Sequence, residues 1–110
     1  MTGWYEINKS SDNQYRFVLK ADGGETILTS ELYKSKHSAE SGILSVKENS
    51  SVDVRFDKKV SSNAKPYFNL KAGNHEIIGT SQMYSSEQAR DAGIVAVKAN
   101  GVSTTVKDNT

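Results

Sequence analysis

Four polar side chains that could bind or transform a ligand occur twice in the sequence, with the same spacing. The first set is Lys20, Glu25, Ser30 and Tyr33, and each residue type recurs 51 positions later. A lysine can contact an anion, a serine can hydrogen-bond a polar group, and a tyrosine ring can stack on a planar one. This interpretation predicts two symmetric binding sites. The candidate ligand-binding residues are Lys20, Ser30, Tyr33, Lys71, Ser81 and Tyr84.

A structural role explains the same duplicated set without a ligand. Lys20 and Glu25 flank a predicted hairpin as a cross-strand pair, while Ser30 and Tyr33 can satisfy backbone groups at the corner that leads into a helix. We favour this interpretation because hydroxyl groups at such corners commonly bond the backbone. A third hypothesis uses Glu25 or Glu76 as the acid or base of a small enzyme.

The sequence carries no motif for other kinds of chemistry. Gly23-Gly24 is not followed by the Gly-Lys-Ser/Thr of a nucleotide-phosphate loop, and no serine stands in a Gly-x-Ser-x-Gly elbow. The chain has no cysteine, which excludes disulfides and thiolate ligands. His37 and His75 stand outside any spaced cluster of metal ligands. We therefore predict no catalytic, cofactor-binding or metal-binding residue, and no cofactor.

The composition is that of a small chain with balanced charge. Its 110 residues carry 14 Lys+Arg against 13 Asp+Glu, a net charge of +1, unlike the strongly basic domains that bind nucleic-acid backbones. No apolar run approaches the roughly 18 residues of a membrane span, and the first residues do not resemble a signal peptide. We therefore expect a soluble, cytoplasmic protein without a membrane partner, and nucleic acid is not favoured as a partner.

An internal duplication organises the chain. When the sequence is compared with itself at an offset of 51, residues 17–49 and 68–100 are identical at 15 of 33 positions without a gap. Two copies are too few for a solenoid, so each half is expected to complete the hydrophobic core of the other about a pseudo-twofold axis. The prediction is one domain, residues 1–110, made of repeats 1–51 and 52–110, and a monomer.

Each copy alternates apolar and polar residues before it changes to a helical period. The alternation predicts a strand at Tyr15–Lys20 and, after a two-residue turn at Asp22-Gly23, an antiparallel strand at Glu25–Ser30. The second copy repeats this pattern, with its turn at Gly73-Asn74 and its return strand at Glu76–Ser81. Outer strands are predicted at Trp4–Asn8, Val52–Val60 and Val102–Val106, followed by a frayed tail at Lys107–Thr110.

A helix follows each hairpin. Ser35 and Ser86 are the predicted N-caps, with Ser85 as an alternative for the second helix. The apolar residues Ala39, Ile43 and Val46 form one stripe that should pack on the sheet. Asn49-Ser50 and Asn100-Gly101 are predicted to end the helices in left-handed backbone. Glycines at the matching mid-helix positions 42 and 93 indicate close approach to the sheet.

The repeated pattern resembles a known family. Leu-Lys-Ala, a tight turn, Glu-x-Ile-x-Thr-Ser-x-x-Tyr, and a helix with Gly-Ile-x-x-Val-Lys-x-Asn occur over residues 19–49 and again over 70–100. This pattern is similar to that of the YegP-like proteins, small bacterial proteins of uncharacterised function. The resemblance implies an α+β fold in which two β-β-β-α-β repeats share one antiparallel sheet, with two helices packed on it and the C-terminal strands exchanged. It implies no activity, and Asn74-His75 departs from the family's usual turn.

Three classes of function follow from these observations. The preferred one is a non-catalytic binding or accessory protein that contacts an unknown small molecule or protein through its sheet surface or a cleft between the repeats. The first alternative is a weak single-stranded nucleic-acid binder, because aromatic residues could share one face of the sheet and stack bases. The aromatic residues of this first alternative are Trp4, Tyr5, Tyr15 and Tyr67. The second alternative is the small enzyme that uses Glu25 or Glu76.

Overall fold

Two helices lie on one face of a seven-stranded sheet in the computed structural model, which describes residues 3–110. Each repeat contributes three consecutive strands and a helix, and one further strand ends the chain, so the α+β class and the duplication are confirmed. The first repeat contains β1 (Trp4–Lys9), β2 (Tyr15–Lys20), β3 (Thr26–Ser30) and α1 (Lys36–Asn49). The second contains β4 (Phe56–Val60), β5 (Pro66–Lys71), β6 (Ile77–Thr80) and α2 (Glu87–Asn100), followed by β7 (Val106–Asp108).

A pseudo-twofold axis passes through the centre of the sheet. The strand order is β4-β5-β6-β3-β2-β1-β7, so the two repeats meet at the β3–β6 pair. In that pair Thr29 lies opposite Thr80, its own equivalent at the offset of 51. Two equivalent residues can face each other across an antiparallel pair only where a twofold axis passes between them. The axis therefore lies between Thr29 and Thr80.

The strand that follows each helix lies in the opposite half of the sheet from the two strands that precede that helix. After α1, β4 pairs with β5, and after α2, β7 pairs with β1. The expected exchange of strands is thus confirmed, but the sheet is not entirely antiparallel, because β7 runs parallel to β1. β7 follows α2 as β4 follows α1, and β2 is the equivalent of β5. Exact symmetry would therefore pair β7 with β2, but β1 already occupies that place. Since β1 and β7 both run opposite to β2, their pairing with each other is parallel.

All four hairpins end in the same three-residue turn, which differs from the two-residue turns predicted. At the first repeat's second hairpin, the amide of Gly24 donates to the carbonyl of Ala21, and the amide of Ala21 donates to the carbonyl of Glu25. Such a turn needs left-handed backbone at its third residue, one position later than expected. That position has positive φ in every hairpin: the residues are Asn13, Gly24, Ala64 and His75.

The helix starts agree with the sequence, whereas the helix ends do not. The Ser35 and Ser86 side chains cap α1 and α2 by accepting the amides of Ser38 and Ala89. At the C-termini, Ser50 (φ −66°) and Gly101 (φ −62°) have right-handed helical backbone, so the expected left-handed stops were wrong. Close approach explains the glycine instead, because a Cβ at residue 101 would lie 2.5 Å from the Ser50 Oγ.

Equivalent residues near the axis cannot both carry a side chain. Leu28 and Gly79 are equivalent, and a Cβ at residue 79 would lie 2.8 Å from the Leu28 Cγ. The same holds for Ser50 and Gly101, where the chain leaves the two helices. In each pair one repeat supplies the side chain and the other supplies glycine. Exact symmetry is thus broken by packing at the axis itself.

One face of the sheet is buried and the other is open. Tyr5, Phe17 and Phe68 are fully buried with α1 and α2 residues in a single hydrophobic cluster. The residues that alternate with them along each strand point to the opposite face, which neither helix covers. The aromatic residues therefore do not share one face: Tyr5 and Tyr15 lie on the helix side, and Trp4 and Tyr67 on the open side.

The chain between the helices and the last strands differs from expectation. A 3₁₀ turn at Asp53–Arg55 shortens the predicted Val52–Val60 strand to β4. The last strand begins at Val106, where the predicted strand ended, and residues expected to fray pair instead with β1. The amide of Asn109 donates to the carbonyl of Ile7 at 2.9 Å, which anchors the C-terminus. None of the helices within residues 3–110 is long and apolar enough to cross a membrane.

Candidate functional site

The two predicted site serines hold the ends of the central strands. Ser30 Oγ accepts the amide of Phe17 at 2.9 Å and donates to the carbonyl of Glu31 at 2.7 Å. Ser81 makes the equivalent bonds in the second repeat. Both residues are 6% exposed. The hydroxyl protons are already committed to backbone carbonyls, so these side chains join the strands to the loops that follow.

The two predicted site tyrosines fill the space beneath the helix glycines. The Tyr33 ring stacks on Phe17 with a centroid distance of 6.2 Å, and Tyr84 stacks on Phe68 at 6.5 Å. A Cβ at Gly42 would lie 2.6 Å from the Tyr33 hydroxyl oxygen, and one at Gly93 would collide with the Tyr84 hydroxyl. The close approach predicted for these glycines is confirmed. Partial burial, followed by the nearby charges of Glu31 and Glu76, raises the pKa of Tyr33.

The predicted site lysines lie on the opposite face of the sheet from the serines and tyrosines. Lys20 donates from Nζ to the Thr26 hydroxyl oxygen at 2.7 Å, across the open face. Lys71 forms an ion pair with Asp57 at 2.9 Å, and this hydrogen bond is the largest cause of the lowered pKa of that carboxyl. Neither lysine pairs with the glutamate of its own hairpin. The cross-strand Lys–Glu pair expected at each hairpin is therefore not formed.

The six candidate residues consequently divide between two faces. The serines and tyrosines support the helix side, and the lysines belong to the open side. Because the sheet separates the two groups, one small ligand cannot contact both of them. Binding by each of the six residues stays a prediction. The geometry directs the search for a site to the open face.

The open face carries more basic than acidic side chains. Its acidic residues are Glu6 and Asp57, and both already have partners: Glu6 accepts the Trp4 indole N–H at 2.6 Å, and Asp57 pairs with Lys71. The Lys107 ammonium lies 4.5 Å from the centroid of the Trp4 ring, which covers one side of that ring. Five basic residues occupy this face: Arg16, Lys20, Lys59, Lys71 and Lys107.

A groove of about 410 Å³ lies on the first repeat's half of this face. We call it the Arg16 groove. Its volume falls within the roughly 300–1,000 Å³ of small-molecule sites. A second groove, of about 230 Å³, lies between α2 and β4 and is smaller than that range; its lysines pair with its own aspartates, Lys58 with Asp91 and Lys98 with Asp53. The Arg16 groove is lined by Asn8, Lys9, Ser10, Arg16, Val18, Thr26 and Thr29.

Sequence reasoning missed this groove because it lies where the two repeats differ. Arg16 corresponds to Tyr67 and Thr26 to Ile77 at the offset of 51, whereas the six predicted ligand-binding residues are all identical between the copies. In the second repeat the space is filled, since Asn69 is 5% exposed and its Oδ1 accepts the Thr80 hydroxyl at 2.9 Å. The signal that could have revealed the groove is a polar residue present in only one copy.

Residues 3–110 contain no group of three or more His, Asp or Glu side chains that could hold an ion together. His75 occupies the left-handed position of a hairpin turn and is exposed, which gives it a role in the turn.

Comparison with known proteins agrees with the duplicated architecture. A family model described as a domain of unknown function, DUF1508, matches the chain twice, over residues 10–57 and 61–108. The chain belongs to the DUF1508 family. Each DUF1508 repeat spans two strands, a helix and the start or whole of the strand that follows, so the boundary lies between β4 and β5. β1 lies outside both matched segments, 10–57 and 61–108.

Full-length relatives confirm the resemblance to YegP-like proteins. The UPF0339 protein YegP of Escherichia coli strain K12 is 67% identical over 110 residues, which is 100% of each chain. Its solution NMR structure, described as a protein of unknown function, has a TM-score of 0.95 and covers 100% of this chain and 95% of that chain. A Shewanella oneidensis UPF0339 structure, 62% identical, has a TM-score of 0.92 and covers 98% and 92%. None of these names assigns an activity.

Proposed function

We propose that this DUF1508 protein is a non-catalytic binding protein whose ligand contacts the open face of the sheet. The observation that carries the proposal is that both helices pack on one face and leave the polar, mainly basic face of seven strands uncovered. A rigid sheet that presents polar side chains in fixed positions suits recognition, because little conformational entropy is lost on binding.

The positions of the candidate acids support binding over catalysis. Glu25 and Glu76 are exposed at hairpin ends, and neither lines the Arg16 groove or the groove beside α2. A general acid or base works best in an enclosed site that shifts its pKa toward neutrality. The proposal also retains the expected cytoplasmic location and monomeric state, which cell fractionation and light scattering test.

A chemical-shift screen tests the proposed function. The ¹⁵N-labelled protein is titrated with pooled metabolites, peptides and oligonucleotides, and we expect saturable shifts on the open-face strands. Thr29→Trp places bulk at the centre of that face and should weaken the ligand found. Val95→Trp, at a position 64% exposed on the outer surface of α2, is the matched control and should leave binding unchanged. Shifts confined to the helix side would overturn the proposal.

Single-stranded nucleic acid is the second candidate, and the excess of basic side chains on the open face favours it. Trp4 and Tyr67 share this face, although Lys107 covers one side of the Trp4 ring. Binding to phosphates falls as salt rises, because it releases counterions. Salt-dependent retention of the protein on an oligonucleotide column is the expected result, and absence of retention at low salt removes this candidate.

A further inference from the structure

We propose that the Arg16 groove binds a small organic oxyanion, presenting a carboxylate or a phosphate group to the Arg16 side chain. This inference rests on the proposed function, because it places one ligand class on the open face of the sheet. It narrows that face to the first repeat's half, because at the equivalent place in the second repeat Asn69 is 5% exposed and hydrogen-bonded to Thr80.

The groove offers positive charge and hydrogen-bond donors. None of its seven lining residues is acidic. Asn8, directly opposite Arg16 across the β1–β2 pair, accepts from the side-chain Nδ2 of Asn109 through Oδ1 at 3.1 Å, which leaves its own N–H groups free to donate. Thr26 accepts from Lys20, so its hydroxyl proton is also available. An oxyanion has only acceptor oxygens and matches this set of donors.

Arg16 is the least engaged basic group on the open face. Within residues 3–110 it takes part in no ion pair and no side-chain hydrogen bond, whereas Lys59 and Lys71 both pair with Asp57. The guanidinium group carries five donors in a planar fork that binds carboxylate or phosphate oxygens in pairs. Lys9 also lines the groove, but its ammonium lies 5.8 Å from the centroid of the Tyr15 ring, on the helix side, so Arg16 supplies the positive charge of the groove.

Two carboxylates beside the groove are engaged by other side chains. Asp12 accepts from the hydroxyl of Ser10, a lining residue, and from the side-chain amide of Gln14. Glu6 lies two pairs along the β1–β2 ladder from Arg16, opposite Val18, and it accepts from the Trp4 indole and from the side-chain amide of Asn109. The Glu6 carboxylate is therefore bonded to Trp4 and Asn109. The groove between α2 and β4 differs in this respect, because its lysines form ion pairs with aspartates of the same groove, Lys98 with Asp53 and Lys58 with Asp91.

The test titrates the ¹⁵N-labelled protein separately with succinate and phenyl phosphate at constant ionic strength. We expect saturable shifts that cluster at residues 8–10, 16–18 and 26–29 for at least one probe. The stronger of the two responses identifies the oxyanion as carboxylate or phosphate. Arg16→Gln should weaken binding about tenfold or more, because a charged hydrogen bond is lost. Arg16→Lys, which keeps the charge but loses the fork, should weaken it less.

Lys59→Gln is the matched control, since it removes an exposed positive charge from the same face in the second repeat. It should leave the affinity unchanged, and thermal melts confirm that each variant is folded. Three results would each overturn the inference. They are amide shifts that rise linearly with probe concentration and spread over all lysines, equal binding by the wild-type protein and Arg16→Gln, and no shift up to about 50 mM probe, far above the millimolar range of weak binding. A different ligand found elsewhere on the open face would leave the proposed function standing while this inference fails.

Discussion

At the scale of single residues, the second repeat keeps unfavourable side chains in left-handed turns. Ala64 has φ +65° where the first repeat has Asn13, and His75 has φ +69° where the first has Gly24. Left-handed backbone costs an L residue roughly 1–2 kcal/mol, whereas glycine and asparagine adopt it more readily. The two copies therefore differ in turn strain although their turns have the same geometry.

Ala64→Gly should raise the free energy of unfolding by about 0.5–1 kcal/mol, the strain relieved less the entropy that glycine loses on folding. Urea denaturation followed by circular dichroism measures the change. Ser62→Gly is the matched control, because Ser62 lies in the same exposed turn without positive φ. The control should lower stability or leave it unchanged. A stabilisation of the same size in both variants would contradict an explanation by backbone strain.

Residue types predicted the local elements better than the details of the turns and the site. Alternation at Phe17 and Leu19 and the serine caps depend on neighbouring residues only, so the sequence revealed them. The turn type was missed because Asp22-Gly23-Gly24 fits both a two- and a three-residue loop. Val102–Val106 has β-branched residues typical of a strand, but the hydroxyl of Ser103 donates to the Gly3 carbonyl, a contact across the whole chain.

At the scale of elements, the contact between β3 and β6 depends on a leucine in one strand and a glycine in the other. Gly79→Ala should destabilise the protein by about 1–3 kcal/mol, since the new methyl group overlaps Leu28. Leu28→Ala alone should cost about 2–5 kcal/mol because Leu28 is 1% exposed. In the double variant the methyl group has room, so the cost of Gly79→Ala should largely disappear.

A double-mutant cycle by urea denaturation measures this coupling. Gly73→Ala serves as the control, because its nearest neighbour, an Arg55 side-chain nitrogen, would lie 3.5 Å from the new Cβ. That change should stay within about 0.5 kcal/mol. Additive costs for Leu28→Ala and Gly79→Ala would show that the two side chains do not share one space.

The attachment of β7 to α1 should weaken in acid. The hydrogen bond from Lys36 is the largest cause that lowers the pKa of Asp108 from 3.8 to about 2, and contacts with Thr110 add to it. Because the folded-state pKa is the lower one, the stabilisation is complete above 3.8 and is lost as pH falls toward 2. The protection factor of the Asn109 amide against hydrogen exchange should therefore fall over this range, relative to that of Phe17.

Asp108→Asn removes the titrating group and should make the protection of Asn109 lower and insensitive to pH in this range. The amide of Asn109 is the suitable probe because it donates to Ile7, across the β1–β7 pair. If the wild-type protein and Asp108→Asn show the same pH dependence, the ion pair with Lys36 does not hold β7 in place.

At the scale of the whole molecule, each repeat depends on the other to bury its core. The sheet continues across the axis through the β3–β6 pair, and β7 from the second repeat pairs with β1 from the first. The Gly3 amide donates to Asn100 Oδ1 at 2.7 Å, and the Tyr5 hydroxyl donates to the Gly101 carbonyl at 2.7 Å. The start of the chain is thus bonded to the end of α2.

Residues 1–51 expressed alone should consequently be unfolded, and so should residues 52–110. A 60-residue domain buries only about 60% of its unfolded surface, and each fragment also loses the partner strands and the helix that cover its apolar residues. Amide spectra and circular dichroism of each fragment should show a disordered chain, whereas an equimolar mixture should recover the dispersed spectrum of the whole protein. A stable, monomeric fragment 1–51 would show that one repeat completes its own core, and would contradict the single domain predicted for residues 1–110.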